Sequence, residues 1–194
     1  MAVKKVVFPL FSIFLVYQSY ELVNAILILE PSEVPLWMKI LFAALLNLFV
    51  TGVFAFTGFA YKTSRLLPDK YYRIRDPEFL LEISGVLKLT YFRKFLLLIF
   101  WSQQKNRKKF FNGSIAGLEN FDYQTRQSEF GHLIPMLLIQ LLCLIILTQG
   151  HYAIALVATL LNICFNFYPV VLQRNHRMRI SVLNHKLKNR ESDS

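Results

Sequence analysis

Apolar residues gather in four long blocks along this chain, at residues 6–29, 36–61, 130–148 and 152–172. Each has about the 18–25 residues that a helix needs to cross a hydrocarbon layer of roughly 30 Å. The pattern predicts four transmembrane helices. A fifth stretch, "LTYFRKFLLLIFW" near 89–101, is shorter and carries Arg93 and Lys94, which predicts an interfacial or re-entrant helix. The first block follows Lys4 and Lys5 as a signal peptide would. It is too long for one and leads into "EPSEVP" without a small-residue cleavage site, so it reads as a membrane helix. The expected fold is an all-α integral membrane protein forming a single membrane domain over 1–194. Its polar parts are a connection at 62–129 and a tail at 173–194.

Charge orients that layout. The chain carries a net charge of +10 with 55% hydrophobic residues. Its basic residues cluster at the N-terminus, between Lys62 and Arg126, and between Arg174 and Arg190, whereas "EPSEVP" and "QGH" contain neither Lys nor Arg. The positive-inside rule then puts both termini and the 62–129 connection on the cytoplasmic side, with a bacterial plasma membrane as the expected location. The basic balance reads as topology first and as a surface for phosphates or anionic lipid second; a chain this apolar is a poor nucleic-acid binder. Cys143 and Cys164 both lie in apolar runs and read as small hydrophobes, not as a disulfide or zinc framework.

Polar residues interrupt the apolar walls. Asn162, Asn166, Pro169, Gln173 and Arg177 follow at spacings of four, three, four and four, which predicts one polar face on the fourth helix. Tyr17, Glu21 and Asn24 make a similar stripe in the first block, and Asn47, Thr51 and Gly58 in the second. At such depth polar groups must face the bundle interior, a partner or a wet cavity. Their ordinary use is hydrogen bonding between helices, worth about 0.5–2 kcal/mol per contact.

At the lip of the third block stands "TRQSEFGHLIP", with Glu129 and His132 three residues apart on one helix face. Antiparallel packing brings the end of the fourth block, with Gln173, Arg174 and Arg177, to the same depth. An imidazole can take a proton from a hydroxyl, a carboxylate can orient it, and an arginine can stabilise a developing oxyanion. The plainer reading is a Glu in the first turn, a His at headgroup level and arginines anchoring a helix end. Glu-x-x-His is also half of a di-iron site, but none of His151, His176 and His185 has an acid three residues before it. No metal is expected, and the glycines form no phosphate loop.

Three segments carry a resemblance: "LPDKYY" (67–72), "QTRQSEFGHLI" (124–134) and "NICFNFYPVVLQRNHRMRI" (162–180). They resemble the glycosyl-4,4'-diaponeurosporenoate acyltransferase family of staphyloxanthin-type carotenoid biosynthesis, with departures at Leu133, His176 and Met178. The resemblance implies transfer of a fatty acyl group onto a sugar hydroxyl of a glycosylated membrane lipid. Its matching polar positions are Asp69, Lys70, Arg126, Glu129, His132, Asn166, Gln173, Arg174, Arg177 and Arg179. In the expected mechanism His132 is the general base, Glu129 orients it, and Arg174 or Arg177 stabilises the oxyanion. Arg126, Asn166, Gln173, Arg174, Arg177, Arg179, Asp69 and Lys70 are expected to contact substrate. The expected donor is acyl-CoA, its phosphates met by the basic run Lys105–Lys109, with no tightly bound cofactor. The expected partners are membrane lipids and a glycosylated isoprenoid or other glycolipid acceptor. Another isoprenoid-lipid enzyme, or a non-catalytic small membrane protein of lipid or pigment metabolism, is the alternative.

Overall fold

A computed structural model describes residues 2–100 and 115–192, with side chains for 3–94 and 117–184. Among them every regular element is helical: α1 (Ala2–Ile28), α2 (Leu36–Ala60), a 3₁₀ turn (Thr63–Leu66), α3 (Asp69–Tyr72), α4 (Pro77–Val86), α5 (Leu89–Phe100), α6 (Ile115–Thr148), α7 (Tyr152–Asn162), a π turn (Ile163–Phe167) and α8 (Tyr168–Ser192). Four segments are long and apolar enough to span a membrane: Val3–Ile28, Leu36–Ala60, Gly117–Thr148 and Tyr152–Asn184. Their outer faces expose large apolar side chains such as Leu10, Phe14, Leu48, Leu141 and Leu156, a surface suited to lipid and not to water. The chain is an all-α integral membrane protein.

The third and fourth helices extend beyond their apolar blocks. The third starts at Ile115, not at 130, because "LENFDYQTRQSE" contains no proline and ties itself along the helix. Arg126 Nε stands 2.7 Å from Asp122 Oδ2 one turn earlier, and Thr125 Oγ1 donates to the Asp122 carbonyl at 2.7 Å. The fourth helix runs past 172 to Ser192. As far as Phe100, the connection after 61 is built from short helices. Asp76 caps α4 by accepting from the Phe79 N–H at 2.9 Å, with Pro77 in the first helical position. The expected helix near 89–101 is present as α5 through Phe100; Trp101 and the basic run 105–109 lie outside the described residues.

Contacts group the chain into two compact units, Met1–Thr63 with Phe130–Phe167, and Ser64–Glu129 with Tyr168–Ser194. The first unit has the larger core: Leu22 and Ile26 of α1, Ala43, Leu46 and Val50 of α2, Ile139, Cys143 and Ile146 of α6, and Ile154, Ala155 and Ala158 of α7. Polar seams join these helices. Ser12 Oγ shares a hydrogen bond with Thr57 Oγ1 at 3.1 Å and donates to the Val53 carbonyl at 3.0 Å. Asn47 Nδ2 donates to the carbonyls of Ala43 (2.9 Å) and Ala158 (3.1 Å), tying α2 to α7. The interior stripe expected in α1 is not formed, since Tyr17 and Glu21 are exposed. In the second unit Leu80 of α4, Leu89 of α5, Leu118 of α6 and Val170, Leu172 and Ile180 of α8 are buried.

The α1–α2 contact is close at Gly52, where a Cβ would stand 2.6 Å from Leu15 Cδ1. Leu15 can swing away from a single methyl but not from a branched side chain. Gly52→Val is therefore expected to destabilise the first unit by about 1–3 kcal/mol, read as a lower unfolding midpoint in detergent. Adding Leu15→Ala should recover part of that loss, and an unchanged midpoint for Gly52→Val would show that the helices are not tightly apposed.

Candidate functional site

Two polar clusters stand on α6, one in each unit. The first centres on Glu129, whose side chain is 0% exposed. A carboxylate this deep needs charged or hydrogen-bonding partners, and it has three. Its Oε1 accepts from Arg174 Nε at 2.9 Å and from the Tyr71 hydroxyl at 2.9 Å. Its Oε2 accepts from Arg177 Nη2. Arg177, 4% exposed, also donates from Nε to the Tyr72 carbonyl at 3.3 Å, which fixes the backbone of α3 against α8.

Two tyrosines form the other walls. The Arg174 guanidinium lies 5.1 Å from the Tyr71 ring centre, and those of Arg177 and Arg126 each lie 5.3 Å from that of Tyr72, distances at which a ring face attracts a cation. Arg126 then reaches Asp69 Oδ1 at 2.7 Å. Among the described residues, the Tyr72 hydroxyl and Arg177 Nη1 of this cluster are buried without a hydrogen-bond partner. Burial, and then the nearby Glu129 charge, raise the ionisation of both phenols, Tyr72 to about 12. Both therefore stay protonated at any physiological pH, and Tyr71 acts as a donor.

The second cluster centres on His132. Its Nδ1 lies 3.1 Å from Asn166 Oδ1, and a chain of amides shows which of the two atoms holds the proton. The Met136 carbonyl can only accept, so Asn162 turns its Nδ2 towards it at 2.9 Å. Asn162 Oδ1 then accepts from Asn166 Nδ2 at 3.0 Å. Asn166 is left presenting its oxygen to the imidazole, so Nδ1 carries hydrogen and Nε2 is the basic nitrogen of the neutral ring. Thr51 Oγ1 braces Asn166 at 3.1–3.2 Å. Phe165 precedes Asn166 in the chain. Pro169, four residues on, has no N–H to offer the Phe165 carbonyl, and the π turn Ile163–Phe167 lies where the helix adjusts to that loss.

Glu129 was expected to orient His132; the hydrogen bond at Nδ1 of that ring is with Asn166. Glu129 is already committed to two guanidinium groups and a phenol. The other expected positions fall as follows. Arg174 and Arg177 give donors to Glu129, Arg126 and Asp69 pair with each other, Lys70 is exposed, and Gln173 is half-buried on α8. Arg179 lines a cavity beside α4 and α5. Helical spacing does not single out Tyr71 and Tyr72; the signal for them is two adjacent tyrosines in "LPDKYY", within an otherwise basic connection. Among the described residues no group of three His, Cys, Asp or Glu side chains could hold a metal.

A protein-family model described as glycosyl-4,4'-diaponeurosporenoate acyltransferase matches residues 68–186, more than half of the chain. No curated protein and no solved structure matches it.

Two tests follow from the geometry. Glu129→Gln leaves the buried Arg177 guanidinium and the partly exposed Arg174 without a counter-charge; loss of the buried Arg177 pair should cost about 3–5 kcal/mol of stability, read by unfolding in detergent, and a loss under about 1 kcal/mol would mean that solvent already screens the cluster. Tyrosine absorbance should show two of the nine tyrosines ionising late in the folded protein, with Tyr72→Phe removing the one near pH 12. Because these pKa values exceed the unfolded value near 10, the unfolded chain holds fewer protons between about pH 10 and 12. The stabilisation is thus complete below pH 10 and lost as pH rises through that window.

Proposed function

The chain belongs to the glycosyl-4,4'-diaponeurosporenoate acyltransferase family, and from that membership we propose that it moves a long-chain fatty acyl group onto a sugar hydroxyl of a glycosylated isoprenoid or other glycolipid. The observation that carries the reading is the reach of the family match. Residues 68–186 contain His132, both asparagines of its relay and the whole Glu129 cluster.

The chemistry assigned to His132 is general-base catalysis. Nε2 takes the proton of the sugar hydroxyl as its oxygen attacks the thioester carbonyl of an acyl-CoA. The new C–O bond forms, the C–S bond breaks, and the leaving thiolate recovers the proton from the imidazolium. An ester and a free thiol result. Asn166 holds Nδ1–H throughout, and an amide cannot remove that proton. The Glu129 cluster has a different task in this scheme. It fixes α3 and α8 to α6, and its carboxylate takes no proton from substrate.

His132 is the third residue of the apolar run that begins at Phe130, a depth that suits a lipid whose sugar lies at the membrane surface. The Lys and Arg distribution supports a cytoplasmic location for both termini and for the 62–129 connection. The donor would then arrive from the cytoplasm of a bacterial cell.

The test is transfer of label from long-chain acyl-CoA into lipid, in membranes that contain the protein and its host's glycolipids. His132→Ala, matched for insertion, should lower the rate by roughly 10²–10⁴-fold. Equal transfer by both proteins would remove His132 from the mechanism. Absence of transfer by the wild type over a broad set of donors and acceptors would overturn the acyltransferase reading.

A further inference from the structure

Outside both clusters, the second unit contains a cavity of about 230 Å³ lined by Leu81, Ser84 and Gly85 of α4, Leu89, Thr90 and Arg93 of α5, and Leu172, Asn175 and Arg179 of α8. Its chemistry is divided. Its lining combines three leucines with two guanidinium groups and three small polar residues. Asn175 Nδ2 donates to Ser84 Oγ at 3.1 Å, and Ser84 donates to the Leu80 carbonyl at 2.6 Å, so these polar groups are held in place between α8 and α4. Among the described residues no carboxylate pairs with Arg93 or Arg179. This differs from the neighbouring cluster, where Arg126, Arg174 and Arg177 all have acidic partners.

We propose that this cavity binds the phosphate of a phosphate ester, with Arg93 and Arg179 as the charged contacts and Thr90 and Asn175 as neutral ones. Two arginines without a counter-ion, facing one small space, suit an anion with several acceptor oxygens. The volume is below the roughly 300–1,000 Å³ of a site for a drug-sized molecule, so it admits a headgroup and not a whole lipid. Position points the same way. The apolar run of the fourth helix ends at Leu172, and Asn175 and Arg179 lie about 4.5 and 10 Å further along the axis. A headgroup layer extends roughly 5–8 Å beyond the hydrocarbon, so Asn175 stands within it and Arg179 just past its outer edge. The phosphate can come from a membrane phospholipid or from the head of an acyl thioester donor. The proposal holds for either source and does not depend on the acyl-transfer reading.

Full-length protein in nanodiscs of phosphate-free galactolipid separates the sources. In one arm, binding of palmitoyl-CoA is measured with palmitoyl-N-acetylcysteamine, which lacks phosphate, as the comparison. In the other, retention of added phosphatidylglycerol is counted by lipid mass spectrometry. Wild type should bind at least one of the two phosphate probes, and Arg93→Gln with Arg179→Gln should weaken that binding at least tenfold. Gly85→Leu supplies a steric version that leaves both arginines in place. Gly85 is helical, nothing lies within 4 Å of where its Cβ would stand, and leucine is the better helix former, so a loss there is not misfolding. Arg75→Gln, an exposed basic residue away from the cavity, should change nothing. Loss with only palmitoyl-CoA assigns the site to the donor, loss with only phosphatidylglycerol assigns it to lipid, and loss with both assigns it to the shared phosphate. The proposal is overturned if wild type binds neither probe, if Arg75→Gln weakens binding as much as the double variant, or if only one of the two kinds of variant has an effect.

Discussion

A carboxylate removed from water must be paired, and the second unit is arranged around meeting that requirement at Glu129. The cost of an uncompensated charge in a low-dielectric interior is several kcal/mol. Three groups from two elements answer it: the Tyr71 hydroxyl of α3, and Arg174 and Arg177 on successive turns of α8. Each partner is in turn constrained, by the Tyr72 carbonyl for Arg177 and by the aromatic faces for all three nearby guanidinium groups. A four-residue helix such as α3 has almost no stability of its own. Here it is held because its tyrosines and backbone complete the solvation of an ion.

The cluster around His132 follows the opposite principle. It is neutral, built from amides and a hydroxyl, and its order comes from the direction of hydrogen bonds and not from charge. One backbone carbonyl, that of Met136, fixes the sense of every bond up to the imidazole. Such a chain transmits orientation without placing a charge beside the ring, so a proton gained at Nε2 is not trapped by a neighbouring anion. In the general-base role proposed for it, that separates this ring from a carboxylate-oriented histidine.

The apolar blocks made the four spanning helices legible, because length and hydropathy decide what crosses a membrane regardless of tertiary detail. The spacing of Glu129 and His132 was equally legible, since both are on one helix. Their partners were not. Helical arithmetic says which residues share a face, but whether Asn166 or Glu129 stands against an imidazole depends on how a second helix is rotated. The same limit hid the outward turn of Tyr17 and Glu21, whose stripe looks interior by periodicity. Ion pairing along "FDYQTRQSE" likewise extended α6 well before its apolar run, where hydropathy alone placed a boundary. The paired tyrosines after Lys70 were visible as letters, but their importance comes from a glutamate more than fifty residues away.

The π turn at Ile163–Phe167 has a consequence for how this chain is compared with others. Such a turn holds one residue more than an α turn, so the helix on either side of it is out of phase by about 100°. The run from Asn162 to Arg177, which looks like a single polar stripe at one pitch, is two stripes joined across a change of phase. The surplus residue is in effect an insertion stored inside a spanning helix. A relative without it will match this chain on both sides only if a one-position gap is opened in the middle of an apolar helix, where gaps are normally forbidden. An ungapped comparison would set the asparagines in register and misplace the arginines, or the reverse.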